Sequence, residues 1–146
     1  MSPVTLVTVA ENGSGRYSER VSAGRHVLLA DEPEARGGQD TGPSPYEFLL
    51  AALGACTAIT LRMYVERHNW TLRRATVELQ HKKMLAPDGA STIDCFQRII
   101  SLEGDLTDEQ RLKLLQIADK CPVSETLRHA AMVDSKLADA PSPTLA

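Results

Sequence analysis

Gly38-Gln39-Asp40-Thr41-Gly42-Pro43-Ser44-Pro45-Tyr46-Glu47-Phe48-Leu49-Leu50-Ala51-Ala52-Leu53-Gly54-Ala55-Cys56-Thr57-Ala58-Ile59-Thr60-Leu61-Arg62-Met63-Tyr64 is the stretch from which the fold is read. A loop rich in glycine and proline ends at Ser44, and Glu47 and Arg62 are the only charges in residues 45–64. Ser44 has the chemistry of an N-cap, Pro45 that of the first helical position, and Glu47 closes a capping box three residues on. The run that follows is apolar nearly all round, which predicts a helix buried in a core with Cys56 inside it. It reads as too short and too polar at its ends for a strong membrane span. The helix is expected to stop near His68-Asn69.

Upstream, residues 4–10 alternate with β-branched side chains and predict a strand. Glu11-Asn12-Gly13-Ser14-Gly15 is a turn. Residues 16–22 and 25–30 follow as two further strands, with Ala23-Gly24 as their tight connection. The three make an antiparallel meander. The segment from Asp31 to Pro45 then holds three prolines and three glycines, a loop long enough to suggest a functional role.

Downstream, residues 70–85 read as a long strand, turned at Pro87-Asp88-Gly89 into a partner at 91–104, with Ile93, Cys95, Gln97 and Ile99 on one side. Thr107-Asp108-Glu109-Gln110 is a second capping box, opening a helix on which Leu114, Leu115 and Ala118 share a face with Cys121. Pro122 breaks that helix and starts a short one at 122–130. A last strand is expected at 131–137, before an Ala/Pro/Ser end frayed over about 139–146. The order βββαββαβ defines an α+β fold in one domain over 1–146, without internal repeats.

With 42% apolar residues in 146, the chain supports a sizeable core. A net charge of −3 with acids and bases interspersed, and only 4% aromatics, argue against a nucleic-acid partner. No basic start precedes an apolar run, so the expected location is the cytoplasm, with no membrane partner. Three cysteines, at 56, 95 and 121, are odd in number and too few for a secreted disulfide framework. No Cys-x-x-Cys or paired histidines at ligand spacing occur, so neither a metal nor a cofactor is expected.

The chemistry therefore rests on thiols. A free cysteine is among the most buried residue types and often only fills space. Cys121, however, stands before Pro122 at the N-cap of the last short helix, where backbone N–H groups and the helix dipole favour a thiolate. Cys56 lies about 18 Å along its helix from Ser44, at 1.5 Å per residue, too far for such help. A nucleophilic Cys56 would need another charge, with arginine the best candidate. Cys95 in the hairpin reads as core. His68, His81 and His129 read as structural, Tyr64 as packing, and Asp31-Glu32 as a solvated acidic pair.

Gly38-x-Asp40-x-Gly42-Pro43-Ser44-Pro45-x-Glu47, followed by Leu53-Gly54-Ala55-Cys56 and by Ala118-Asp119-Lys120-Cys121-Pro122-Val123, resembles the OsmC/Ohr family. These are the osmotically inducible protein C and organic hydroperoxide resistance proteins, and the resemblance is strongest to the OsmC-like branch. It implies an interwoven homodimer with sites at its interface. It further implies a thiol peroxidase acting on organic hydroperoxides. Cys56 would become a sulfenic acid, Cys121 would condense with it to a disulfide, and a dithiol such as dihydrolipoamide would reduce that bond. An arginine of the N-terminal strands would stabilise the first thiolate, with Arg16 the best positional match and Arg25 and Arg36 as competitors.

The pattern departs from the family at one point. The hydroperoxide reductases carry a glutamate ten positions before the first cysteine, where this chain has Tyr46, and Glu47 stands nine before. On a straight helix, nine steps of 100° put Glu47 about 180° from Cys56. Glu47 is thus a candidate for the acidic role and equally for the capping role alone. Two functions remain open: this cysteine-based peroxide reductase, and a non-catalytic relative that binds a small apolar ligand between its protomers.

Overall fold

The computed structural model describes residues 3–139. Its elements run β1 (Thr8–Glu11), β2 (Glu19–Ala23), β3 (His26–Ala30), a 3-10 turn (Glu34–Arg36), α1 (Pro45–His68), β4 (Arg74–Leu85), β5 (Thr92–Glu103), α2 (Asp108–Ala118) and α3 (Pro122–Arg128). The fold is α+β, with the expected meander in the order β1-β2-β3 and a separate antiparallel hairpin β4-β5. Gly24 and Arg25 connect β2 to β3, one residue later than Ala23-Gly24, because Gly24 supplies the positive φ of 58° that the tight turn requires. The β4-β5 register is unbroken from Arg74 opposite Glu103 to Leu85 opposite Thr92. At its tip Asp88 accepts from the N–H groups of Ala90 and Ser91, and those bonds hold its carboxyl below the ordinary range.

Both capping boxes form. The Ser44 N–H donates to Glu47 Oε1 at 3.1 Å, and Thr107 and Gln110 exchange bonds of 2.9 and 3.1 Å. At its other end α1 stops at Asn69, whose φ of 54° is left-handed and whose N–H closes back on Val65 and Glu66. At 24 residues α1 is long and apolar enough to cross a membrane by length and composition alone, a test that the core helix of a soluble protein also passes. Here it packs against β4, α2 and α3.

Leu61, Val65, Leu72, Leu114, Ile117 and Ala118 form the core, closed by Tyr64, Trp70, Ala75, Ile100, Leu102 and Leu106. Leu115 was expected on the inner face of α2 but is exposed, and Ile117 takes its place. On the hairpin the inward pairs are Ala75 with Leu102, Val77 with Ile100, Leu79 with Arg98, and His81 with Phe96. Ile93 and Ile99 lie on the outer face and are exposed, while Cys95, expected in the core, shares that face and is half-buried. Alternation predicted which residues go together; it does not say which set faces the helices.

Three further expectations are corrected. α1 is not buried all round: Leu53, Thr57, Leu61 and Val65, four apart, form the buried line, while Leu49, Ile59 and Met63 are exposed on another face. Cys56 falls within that exposed apolar stripe and is half-buried. Residues 131–137 form no strand; Met132, Val133 and Leu137 are almost fully exposed, since a strand needs a neighbour for its N–H and C=O groups and no described strand lies alongside. The frayed end expected over 139–146 lies, from residue 140 on, outside the described residues.

The meander packs little on the hairpin or helices, and Val9, Val27, Leu28 and Leu29 stay exposed. It is tied to α1 through the loop at 31–44, where the Asp31 N–H donates to the Pro43 carbonyl at 3.2 Å.

Candidate functional site

The loop before α1 is built on Asp31, which is buried rather than solvated. Its Oδ2 accepts from Thr41 Oγ1 at 2.7 Å and from the N–H groups of Thr41 and Gln39, and its Oδ1 accepts from the Glu32 N–H at 2.7 Å. The Thr41 hydroxyl, aided by these amides against the effect of burial, holds the carboxyl below its usual range. The glycines of the Gly38-x-Asp40-x-Gly42 segment are there for close approach. A Cβ on Gly38 would stand 1.9 Å from the Glu32 carbonyl oxygen, and one on Gly42 2.3 Å from that of Leu29.

Cys121 is fully buried and is the N-cap of α3, as the Cys-Pro pair suggested. The Ser124 N–H donates to its Sγ at 3.3 Å. Thr57 Oγ1 and Arg98 Nη1 each stand 3.9 Å from the same sulfur. The Thr57 hydroxyl donates to the Leu53 carbonyl at 2.6 Å, so its lone pairs are left for Arg98 Nη1 at 2.9 Å and for a Cys121 S–H. Arg98 also donates to the Ala118 carbonyl and to Asp119 Oδ1, both at 2.9 Å, and to Ser124 Oγ at 3.4 Å. Asp119 is shared with Arg128 at 2.7 Å.

The residues expected at the site are thus distributed as follows. Cys56 is the chain neighbour of Thr57, so the turn of α1 that carries it faces Cys121, but the polar contacts of Cys121 go to Thr57, Arg98 and Ser124. Arg16 lies exposed in the meander, its guanidinium carbon 4.9 Å from the Tyr17 ring centroid, and no hydrogen bond among the described residues joins it to Cys56. Arg25 and Arg36 are also exposed, in the β2-β3 turn and the 3-10 turn. Glu47 is engaged on the Ser44 N–H, which foremost holds its carboxyl below the usual range.

Arg98, Thr57, Ser124 and Asp119 were missed. Arg98 had a signal: it occupies the register position of Phe96, Ile100 and Leu102, where a charge is out of pattern. Asp119 and Ser124 flank Cys121 and are recognisable only once the cap is built.

A second polar group lies near the start of α1. His81 Nε2 meets Asp94 Oδ1 at 2.7 Å and Lys83 Nζ meets it at 2.8 Å, while the Tyr46 ring stacks on His81 with centroids 4.3 Å apart. Lys83 first, then His81, holds the Asp94 carboxyl below its ordinary range, and Asp94 in turn raises Lys83. His81 is therefore paired rather than lone. Among the described residues no group of three His, Cys, Asp or Glu side chains is placed to hold a metal.

Comparison with known proteins agrees with this architecture. The OsmC-like protein family model matches residues 38–136. No curated protein sequence matches the chain. Among solved structures, an OsmC-like protein from Mycoplasma pneumoniae superposes with a TM-score of 0.73 at 15% identity, covering 88% of this chain and 89% of its own. The organic hydroperoxide resistance protein OhrB of Bacillus subtilis superposes with a TM-score of 0.60 at 21% identity, covering 86% and 90%. An organic hydroperoxide resistance protein OsmC from Legionella pneumophila gives 0.64 at 16%, covering 86% and 90%. At these identities the likeness is one of fold. The span of the family model includes the glycine loop, the α1 cysteine and the capping cysteine of α3: the chain belongs to the OsmC-like protein family.

Proposed function

We propose that this protein is a thiol peroxidase for organic hydroperoxides, acting through Cys56 and Cys121. The observation that carries the reading is the seat of Cys121. It is a buried sulfur at a helix N-terminus, beside a guanidinium, facing the helical turn that bears the second thiol.

In the first step the Cys56 thiolate attacks the distal peroxide oxygen and the O–O bond breaks. Cys56 becomes a sulfenic acid, and the alkoxide leaves as an alcohol after taking up a proton. In the second, Cys121 Sγ attacks Cys56 Sγ, the S–O bond breaks, and water departs with the proton of the Cys121 thiol. A dithiol reductant then returns both cysteines to thiols by exchange. The apolar stripe of Leu49, Ala52, Ile59 and Met63 around Cys56 suits an organic peroxide better than hydrogen peroxide.

The working form in this reading is a homodimer. Its support is the exposed stripe of α1 and the exposed meander, both apolar and both left uncovered by the described residues. Arg16 would reach the thiolate from the meander of a second copy. Glu47 acts by capping α1 and fixing the loop.

A second reading, binding of a small apolar ligand without turnover, is favoured by a cleft of about 370 Å³ lined in part by Leu53, Met84, Ile93, Phe96 and Leu127. One experiment separates the two. The purified, reduced protein is given one equivalent of cumene hydroperoxide, and thiols, sulfenic acid and disulfide are followed by mass spectrometry. The peroxidase consumes peroxide and joins Cys56 to Cys121. Cys121→Ser stops at a dimedone-trappable sulfenic acid on Cys56, Cys56→Ser consumes none, and Cys95→Ser reacts as the unaltered protein. A dimedone adduct on Cys121 of the Cys56→Ser variant, formed at the unaltered rate, would overturn the order of the two thiols.

A further inference from the structure

Arg98 is the one feature of the hairpin that the packing does not explain. Its position on the inner face belongs by register to an apolar residue, and only 10% of its side chain is exposed. A buried guanidinium is costly unless its donors are satisfied. Here they are, by groups from three different elements: Thr57 of α1, the carbonyl of Ala118 at the end of α2, and Asp119 and Ser124 around the start of α3. These are the elements that enclose Cys121.

The charges on the cluster do not cancel. Arg98 and Arg128 share one carboxylate, Asp119, so two positive charges face one negative. The neighbouring cleft adds Lys82 and Asp94, the latter already paired with Lys83 and His81. A negative charge developing on Cys121 Sγ during reaction, 3.9 Å from Arg98 Nη1, would offset part of that excess. With the sulfur fully buried, its reaction partner must come from within the fold, and the nearest turn is that of Thr57 and Cys56.

We propose that Arg98 is the positioning residue of the disulfide-forming step, holding Cys121 Sγ as the attacking sulfur aimed at the Cys56 turn of α1. This rests on the peroxidase reading for the origin of the sulfenic acid. As the Cys121 thiol gives up its proton, Arg98 Nη1 and the Ser124 N–H support the charge on sulfur. The S–S bond forms, the S–O bond of Cys56 breaks, and the hydroxide leaves as water with the released proton. Fixing Thr57 with the same nitrogen keeps α1 and Cys121 in register during the attack.

The test compares unaltered protein with Arg98→Met and Arg98→Lys, each treated with one equivalent of cumene hydroperoxide and quenched over time with dimedone. In Arg98→Met the Cys56–Cys121 bond should form at least about tenfold more slowly, the size of one lost bond to a charged group. Peroxide consumption should fall by much less, so dimedone-labelled Cys56 accumulates. Arg98→Lys, which restores charge without the planar fork, should recover part of the rate. A bond formed by Arg98→Met within about twofold of the unaltered rate overturns the proposal. So does an Arg98→Lys protein as slow as Arg98→Met, which would mark a packing effect alone.

A parallel series uses diamide in place of the peroxide. If the unaltered protein ignores cumene hydroperoxide yet joins Cys56 to Cys121 with diamide, the peroxidase reading fails while the Arg98 comparison still decides this one. If neither reagent joins them, both are wrong. Should Arg98→Met not fold, Arg98→Gln, which keeps a donor without the charge, takes its place under the same criteria.

Discussion

Replacing Thr57 by valine keeps the shape of the side chain and removes one oxygen. That oxygen accepts from Arg98 Nη1 at 2.9 Å and donates to the Leu53 carbonyl at 2.6 Å. The carbonyl keeps its helical N–H, so its loss is small. Arg98 is left with a buried N–H facing a methyl group. A bond to a charged group is worth about 1.5–3 kcal/mol, and the methyl of valine returns up to roughly 0.8 kcal/mol by burial. The expected net loss is therefore about 0.7–2.2 kcal/mol, or a fall in Tm of roughly 2–7 °C for a chain of this size. Urea denaturation with an unchanged m-value measures it, at fixed protein concentration because association shifts apparent stability. Thr57→Ser should recover most of the loss. Combining Thr57→Val with Arg98→Met in a double-mutant cycle should give a coupling of about 1–2 kcal/mol. A coupling under about 0.5 kcal/mol, or a valine variant as stable as the original, would refute the claim that this hydrogen bond ties hairpin to helix.

Leu114→Ala empties the centre of a small core in which Leu114 is fully buried; a loss of about 3–5 kcal/mol is expected, and a midpoint shift equivalent to less than about 1 kcal/mol would contradict the core assignment. The carboxyls of Asp94, Asp31, Glu47 and Asp88 are all held below their ordinary range. Their contribution is complete above that range and is lost as pH falls through the depressed values, whereas that of Lys83, which is raised, is lost only above the ordinary lysine range. Urea midpoints against pH should therefore fall on the acid side and stay level through neutrality, and Asp94→Asn should flatten the acid limb; an unchanged limb would count against the Lys83–Asp94–His81 group. Ile59→Lys with Met63→Lys places charge on the exposed stripe of α1 and should convert a dimer into monomer in sedimentation velocity; a stable monomer before substitution, at micromolar concentration, would remove the homodimer from the proposal.

Local chemistry carried the reading where the chain encodes its own boundaries. Ser44 and Glu47, Thr107 and Gln110, and Cys121 before Pro122 each place a donor and acceptor within three residues, so the helix starts follow from sequence. The turn at Pro87-Asp88-Gly89 is equally local. What failed depends on distant partners. Alternation in β5 groups Ile93, Cys95, Gln97 and Ile99 correctly but is silent on which face meets the helices. Residues 131–137 have the composition of a strand, but a strand exists only beside another. An apolar composition all round α1 predicts burial, yet Leu49, Ile59 and Met63 are exposed among the described residues, because composition alone does not say which face meets a neighbour. At the candidate site, the N-cap seat of Cys121 was legible from the Cys-Pro pair. Arg98 was not, because its role comes from meeting Thr57 and Ala118, which lie 41 and 20 positions away.

The sulfur of Cys121 is at once the cap of α3 and the atom on which the chemistry is proposed to occur. α3 has only seven residues, and its first turn closes on that sulfur through the Ser124 N–H. Anything that draws Sγ away must loosen this turn, and by reciprocity anything that tightens the turn must hold the sulfur back. Reactivity and local order in this segment are then two readings of one equilibrium. Serine at 121 preserves the cap, whereas alanine removes it at a cost of about 1 kcal/mol. An alanine variant would therefore report a frayed helix together with a missing thiol, and only the serine variant isolates the chemistry.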